Sequence, residues 1–138
     1  MKLGAWLAAR FPRPTLGERG ERAAARHLRR LGYTIIARRH RSRYGEFDVI
    51  AVDGRTVVFV EVKTRRSEAV ATAAEAVDRR RRERMTRAAN AYLKSHSLLE
   101  CAARFDIVEV IWPLAVRRPT IRHHKNAFPA EGSTQFFR

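Results

Sequence analysis

The chain has 138 residues, 45% of them hydrophobic, which is enough for one buried core and argues against a second domain or wholesale disorder. Lys and Arg number 29 against 14 Asp and Glu, a formal net charge of +15 that attracts polyanions, nucleic acid foremost among them. A single cysteine, Cys101, excludes an intrachain disulfide framework, and no apolar stretch is long enough to span a bilayer. The short N-terminal apolar run is closed early by Arg10 and Arg13, so a cytoplasmic protein with no membrane partner is expected.

Thr15, with Glu18 three residues on, reads as the capping box of a first helix. Leu16, Ala24, Leu28 and Leu31 recur at helical spacing, and Gly32 supplies the stop. Residues 33–37 form a short β-prone run. Arg38, Arg39, Arg41 and Arg43 follow as a basic connector that ends at Tyr44 and Gly45. Residues 47–52 read as a second strand, Asp53-Gly54 as a tight turn, and residues 56–62 as a third strand. Residues 68–73 carry no clear signal.

A second helix is expected from near Glu75 to Lys94, with Met85, Ala88, Ala89, Tyr92 and Leu93 on one face. Residues 105–112 form a strand stopped by Pro113, and residues 120–123 a further short one. The order is α-β-β-β-α-β, an α/β fold with a mixed sheet flanked by helices. Its core is expected at about 15–128, with flexible ends at 1–14 and 129–138.

The informative stretch is Gly45-Glu46-Phe47-Asp48, then Asp53-Gly54, then Glu61-Val62-Lys63. With Asp53-Gly54 as a two-residue turn, Val52 faces Arg55, Ile50 faces Val57, Asp48 faces Phe59 and Glu46 faces Glu61. Cross-strand partners share a face, so Glu46, Asp48, Glu61 and Lys63 are expected together, with Asp48 and Glu61 roughly 7–8 Å apart at the backbone. Carboxylates set into apolar strands are costly unless neutralised, and a divalent cation such as Mg²⁺ would do so. Lys63 could then orient an attacking water or stabilise charge on a phosphate. The competing reading is that the acids pair with nearby arginines and Lys63 pairs with Glu61. The chain has only four lysines, so one beside the acids hints that a compact ammonium is wanted there.

These residues carry a resemblance. Gly20-Glu21 with Ala24, Gly32-Tyr33, Gly45-Glu46-Phe47-Asp48 with Val49-Ile50, and Phe59-Val60-Glu61-Val62-Lys63 resemble the YraN-like family of endonuclease-like proteins. Glu75-Ala76-Val77, Arg104-Phe105-Asp106 and Asn126-Ala127-Phe128 extend the likeness over residues 17–128. The resemblance implies a restriction-endonuclease-like, PD-(D/E)xK fold similar to archaeal Holliday-junction resolvases. It implies Asp48 and Glu61 as ligands for Mg²⁺ or Mn²⁺, Lys63 as the catalytic lysine, and Glu21 of the first helix as a further acid. Glu46 is a supporting acid by its place on the hairpin.

The chain departs from the family pattern at Arg39-His40 and Arg81-Arg82, which leaves the role of a helix-borne basic residue open. His40 reads as a surface or phosphate contact. Arg38, Arg39, Arg41 and Arg43, with Arg65 and Arg66, flank the acids and suit phosphate contacts. Arg84 and Arg87 read as a solvated helix face. Nothing in the sequence reads bases.

The expected function is metal-dependent hydrolysis of DNA, rather than RNA, by an endonuclease acting on branched or single-stranded structures. The alternatives are a non-catalytic nucleic-acid-binding domain on the same fold and a basic assembly protein on ribosomal RNA. A homodimer would suit a cutter of two strands.

Overall fold

Four consecutive residues, Val57, Val58, Phe59 and Val60, are all buried, none more than 2% exposed. A strand that is apolar on both faces has to be covered on both. It lies third of five in an open sheet with a helix packed on either side. The computed structural model describes residues 12–68 and 77–131. The elements are α1 (Leu16–Arg30), β1 (Thr34–Ser42), β2 (Gly45–Asp53), β3 (Thr56–Arg65), α2 (Arg79–Ser95), β4 (Ala102–Ile111) and β5 (Thr120–Phe128). Strand order follows the chain, and every neighbouring pair is antiparallel except β3 and β4. These two run parallel from Thr56↔Ala102 to Arg65↔Ile111, which requires a crossover, and α2 lies in it. The fold is mixed α/β. Among the described residues no helix is long and apolar enough to cross a membrane.

Each helix is where its apolar spacing puts it. The Thr15 hydroxyl accepts the Glu18 amide at 3.1 Å, and Gly32 at φ +93° lets the Tyr33 amide return to the Leu28 carbonyl at 3.0 Å. Ala24 and Leu28 of α1 join Val49, Ala51, Val58, Val60, Val108 and Val110 on one side of the sheet. On the other side Met85, Ala89, Tyr92 and Leu93 of α2 close over Phe47, Phe59 and Phe105, with the Phe47 and Phe59 rings 4.8 Å apart. One approach is tighter than the rest. A Cβ placed on Gly20 would lie 1.9 Å from Oγ1 and 2.8 Å from Cβ of Thr64, so only glycine lets α1 come this close to β3.

Four expectations are corrected. The arginine-rich connector is the second half of β1, paired with β2 as far as Ser42↔Gly45. It is an edge strand, where charged side chains cost little. The helix expected from Glu75 begins at Arg79, because the Asp78 carboxylate caps it by accepting the Arg81 amide; Glu75 and residues 69–73 fall outside the described part.

The short last strand continues to Phe128. Asp106, fully buried in β4, accepts Arg104 Nε at 2.9 Å, His123 Nε2 at 2.8 Å and the Asn126 amide at 2.9 Å, and Phe128 stacks on Phe105. Burial opposes the Asp106 charge, but His123, Arg104 and the Asn126 amide outweigh it and hold the carboxyl below its ordinary value.

The hairpin register is the fourth. Asp53 pairs with Thr56 and Val52 with Val57, so the turn residues are Gly54-Arg55 rather than Asp53-Gly54. The left-handed position, φ +62°, falls on Gly54, the first of the two turn residues, where a hairpin of this kind places glycine. Pairing is therefore two residues out from the expected register: Ile50 meets Phe59, not Val57.

Gly20→Ala sets two effects against each other. The helix gains about 1 kcal/mol in propensity, whereas forcing a methyl into the stiff Thr64 side chain costs about 1–3 kcal/mol. Thr64 is β-branched and cannot swing aside freely, so net destabilisation is expected. A urea-unfolding midpoint for Gly20→Ala at or above that of the parent chain would show that α1 can rise off β3 at no cost.

Candidate active site at a strand fork

β2 and β3 pair from Asp53↔Thr56 to Val49↔Val60 and then part. Beyond that point β2 stays with β1 and β3 stays with β4. Asp48 and Glu61 are the first residues past the fork. The Asp48 carboxylate bridges it, with Oδ2 accepting the Val62 amide at 2.7 Å where a ladder bond would have been.

The flat common face expected for the acids is not what forms. Phe47 and Ile50 both enter the α2-side core although they are three residues apart, so alternation lapses at Asp48. Arg39 lies opposite, between the pairs Arg38↔Val49 and His40↔Phe47, and takes φ +50°. Asp48 lines a cleft beneath the start of α1 together with Glu18, Glu21, Arg39 and Glu46. Glu61 is nearly buried and turns Oε1 towards Lys63 Nζ, at 3.0 Å, and towards Arg81 in the first turn of α2. The two carboxylates thus leave the fork towards different helices, Asp48 towards α1 and Glu61 towards α2, near enough for each to feel the other's charge.

The surrounding charges divide the acids into two kinds. Glu21 accepts Arg39 Nε at 2.9 Å, Glu46 pairs with Arg41 Nε at 3.1 Å, and Glu61 pairs with Lys63 and Arg81, which is the ion-pairing that the sequence left open. Among the described residues Asp48 has no salt-bridge partner. Burial pushes its carboxyl up to about 6; the Val62 amide pulls the other way, and Glu21, Glu61 and Glu46 add repulsion. On Glu61, Oε2 is buried with no hydrogen-bond partner among the described residues.

An acid whose charge is opposed first by burial and then by neighbouring acids, beside a carboxylate oxygen orphaned among the described residues, fits a divalent cation, which takes carboxylate oxygens and tolerates water in the rest of its shell. Among the described residues, however, no three Asp, Glu, His or Cys side chains stand close enough to enclose one. Asp48 and Glu61 are the residues that could hold it, with water or phosphate oxygens completing the shell.

Of the basic residues, Arg38 and Arg43 are exposed with no acidic partner among the described residues. Arg39 and Arg41 are tied to acids of the cleft. Arg66 donates to the Trp112 carbonyl at 3.2 Å and Arg65 is half-buried. His40 is not a free surface group: its ring packs edge-on against Tyr92 at 5.0 Å.

One residue was narrowed only to a pair: Arg81 is the helix-borne cation at the site, which the sequence could not separate from Arg82. Another escaped the sequence reading. Glu109 is buried on β4 opposite Lys63, and its place inside an apolar strand was the same signal that marked Glu61.

Sheet, flanking helices and acid-lined fork define a small mixed α/β protein with a candidate polar site where its antiparallel β2–β3 ladder ends. The chain belongs to the UPF0102 family: the profile described as "Uncharacterised protein family UPF0102" matches residues 20–110. It is 46% identical over 125 residues to a UPF0102 protein of Rhodopirellula baltica, covering 88% of this chain and 75% of that one. It is 45% identical over 113 residues to one from Geobacter sulfurreducens, covering 82% and 88%. A Nocardia farcinica relative is 45% identical over 122 residues, covering 88% and 95%. The matched span contains Glu21, Asp48, Glu61, Lys63 and Arg81.

The raised Asp48 carboxyl has a sign that can be measured. The folded state holds this proton more tightly than the unfolded chain does, so ionising Asp48 costs stability as pH rises from about 3.8 to about 6. Asp48→Asn keeps an acceptor for Val62 and removes the charge. It should stabilise the protein above pH 6, by at most about 3 kcal/mol, and have little effect below pH 4. Denaturant unfolding at pH 7.5 and pH 3.5 checks this; an Asn variant less stable than the parent at pH 7.5 contradicts it.

Proposed function

We propose that this chain is a divalent-metal-dependent nuclease acting on DNA, of the YraN-like, PD-(D/E)xK kind, with Asp48 and Glu61 as ligands for Mg²⁺ or Mn²⁺ and Lys63 as the catalytic lysine. One observation carries the reading: at the fork the Asp48 carboxylate, without an ion-pair partner among the described residues, lies near Glu61, whose Oε2 is buried and unsatisfied among them and whose Oε1 has the Lys63 ammonium at 3.0 Å. A chain of net charge +15 surrounding a local concentration of negative charge makes sense if phosphate arrives together with a cation.

The bound ion would supply positive charge to a phosphodiester oxygen. Water adds at phosphorus, the bond from phosphorus to the leaving sugar oxygen breaks, and that oxygen departs with a proton. Lys63 is placed to orient the water or to stabilise charge on the phosphate oxygens. Arg38 and Arg43, with no acidic partner among the described residues, would hold the backbone, which positions a strand without reading its sequence.

A second reading has its own observation. Glu61 Oε1 is already shared by Lys63 and Arg81, an arrangement that a nucleic-acid-binding domain without catalysis would also show. Cleavage separates the two. With Mg²⁺ or Mn²⁺ and a panel of single-stranded, duplex and branched DNA, Lys63→Ala should lose about 100-fold or more in rate with little change in affinity. Arg38→Ala/Arg43→Ala should retain chemistry on bound DNA and weaken binding. The log–log salt slope on duplex should fall by about 0.9 for each phosphate that is no longer neutralised. Lys63→Ala cutting at the parental rate would remove the catalytic assignment; a parent chain that binds the panel and cuts none of it under either metal would favour the binding domain.

A further inference from the structure

The site at the fork opens into a groove that the nuclease reading does not use. Along the outer side of α2, Arg81, Arg84, Arg87 and Lys94 follow one another over thirteen residues, a rise of roughly 20 Å. Two clefts lie between this row and the tip of the β1–β2 hairpin, and Tyr44 at that tip lines both. The first also touches Glu46, Arg81 and Arg84, so it begins beside Glu46 and the arginine that pairs with Glu61. The second, of about 470 Å³, continues past Arg87 and Asn90 to Lys94.

Three features of the groove are unexplained by folding. Among the described residues, Arg84, Arg87 and Lys94 have no acidic partner, although Glu83 is adjacent and pairs with Arg79 instead. Tyr44 is an aromatic residue left 38% exposed, with the Arg43 guanidinium 4.9 Å from its ring centre. Oδ1 of Asn90 is buried without a hydrogen-bond partner.

We propose that this groove binds single-stranded nucleic acid, led along α2 towards the fork. The cations match a phosphate backbone, and an aromatic ring between the two clefts gives an unpaired base a surface to stack on. Duplex satisfies only the first of these, because its bases are stacked on one another and present no free face to Tyr44. The inference deepens the nuclease reading by naming the substrate, and rests on it only for what happens at Lys63. It also revises Arg84 and Arg87 from a solvated face to a groove wall.

Binding is tested with metal chelated, so that cleavage plays no part. A fluorescein-labelled oligothymidylate and a blunt hairpin duplex are titrated with the full chain and read by anisotropy. Tyr44→Ala should weaken the single strand about tenfold and leave the duplex unchanged, while Tyr44→Phe stays within about twofold of the parent because the ring is kept. Arg84→Ala/Arg87→Ala should reduce the single-strand salt slope by about 0.7 for each phosphate that these arginines neutralise in the parent.

Unchanged single-strand affinity in Tyr44→Ala, or an equal loss on duplex, overturns the proposal. Should Tyr44→Ala not fold, ultraviolet crosslinking of a 4-thiothymidine oligonucleotide to the parent chain decides. Adducts on the peptide carrying Tyr44 are expected, and adducts confined to other surfaces overturn it. Tyr44-dependent binding without any cleavage in Mg²⁺ would remove the nuclease reading and keep the groove. Cleavage with Tyr44-independent binding would do the reverse.

Discussion

The parting of β2 from β3 at Asp48 and Glu61 is the constraint from which the rest of the molecule's polar chemistry follows. Two neighbouring strands cannot separate inside a folded chain without leaving amides unpaired, and an orphaned amide costs about 1–3 kcal/mol. Here a side-chain carboxylate takes the Val62 amide and removes that cost. The same carboxylate is thereby fixed in a half-buried place beside other acids, where its charge is unwelcome. Backbone geometry and electrostatic discomfort have one cause.

The two helices act on this fork from opposite sides, and by different means. α1 is brought close by the missing side chain of Gly20 against Thr64, which carries Glu21 to the cleft. α2 reaches it by charge, through Arg81 on Glu61. Its start is fixed by the Asp78 cap, so the direction in which Arg81 points is settled by a residue three positions earlier. Most of the chain's arginine excess lies elsewhere, on exposed surfaces where solvent screens it.

Much of this was legible in the sequence. Helical spacing with Thr15 and Gly32 as stops gave α1 to within a residue, and the run 56–62 marked the third strand. The residues gathered at the fork were also legible, since carboxylates within apolar strands are costly and rare. What misled was local: Asp53-Gly54 looks like a turn pair, but the residue in the left-handed region decides where the loop starts, and Asp53 belongs to the strand. Arginines at 38–43 look like a loop because their strand has no apolar alternation to show; an edge strand lies half outside the core and does not need it. The lapse at Asp48 and Arg39 could not be read at all, because it depends on where β3 leaves β2, a tertiary event with no sequence period. Arg81 was hidden among identical neighbours, and only the phase of the helix against the sheet distinguishes it.

An open sheet has two unpaired margins, and here both are positively charged. β1 presents Arg38 along one margin, with Arg41 held by Glu46, and β5 presents Lys125 along the other, with Arg122 held by Glu68. A second copy approaching strand to strand would bring like charges into opposition as well as unfilled hydrogen bonds into reach, and the repulsion guards against that association. The protection is electrostatic rather than steric, so it weakens as ionic strength rises. Strong salt, the usual means of stripping a basic protein from a polyanion, is therefore also the condition under which these margins are least defended against each other.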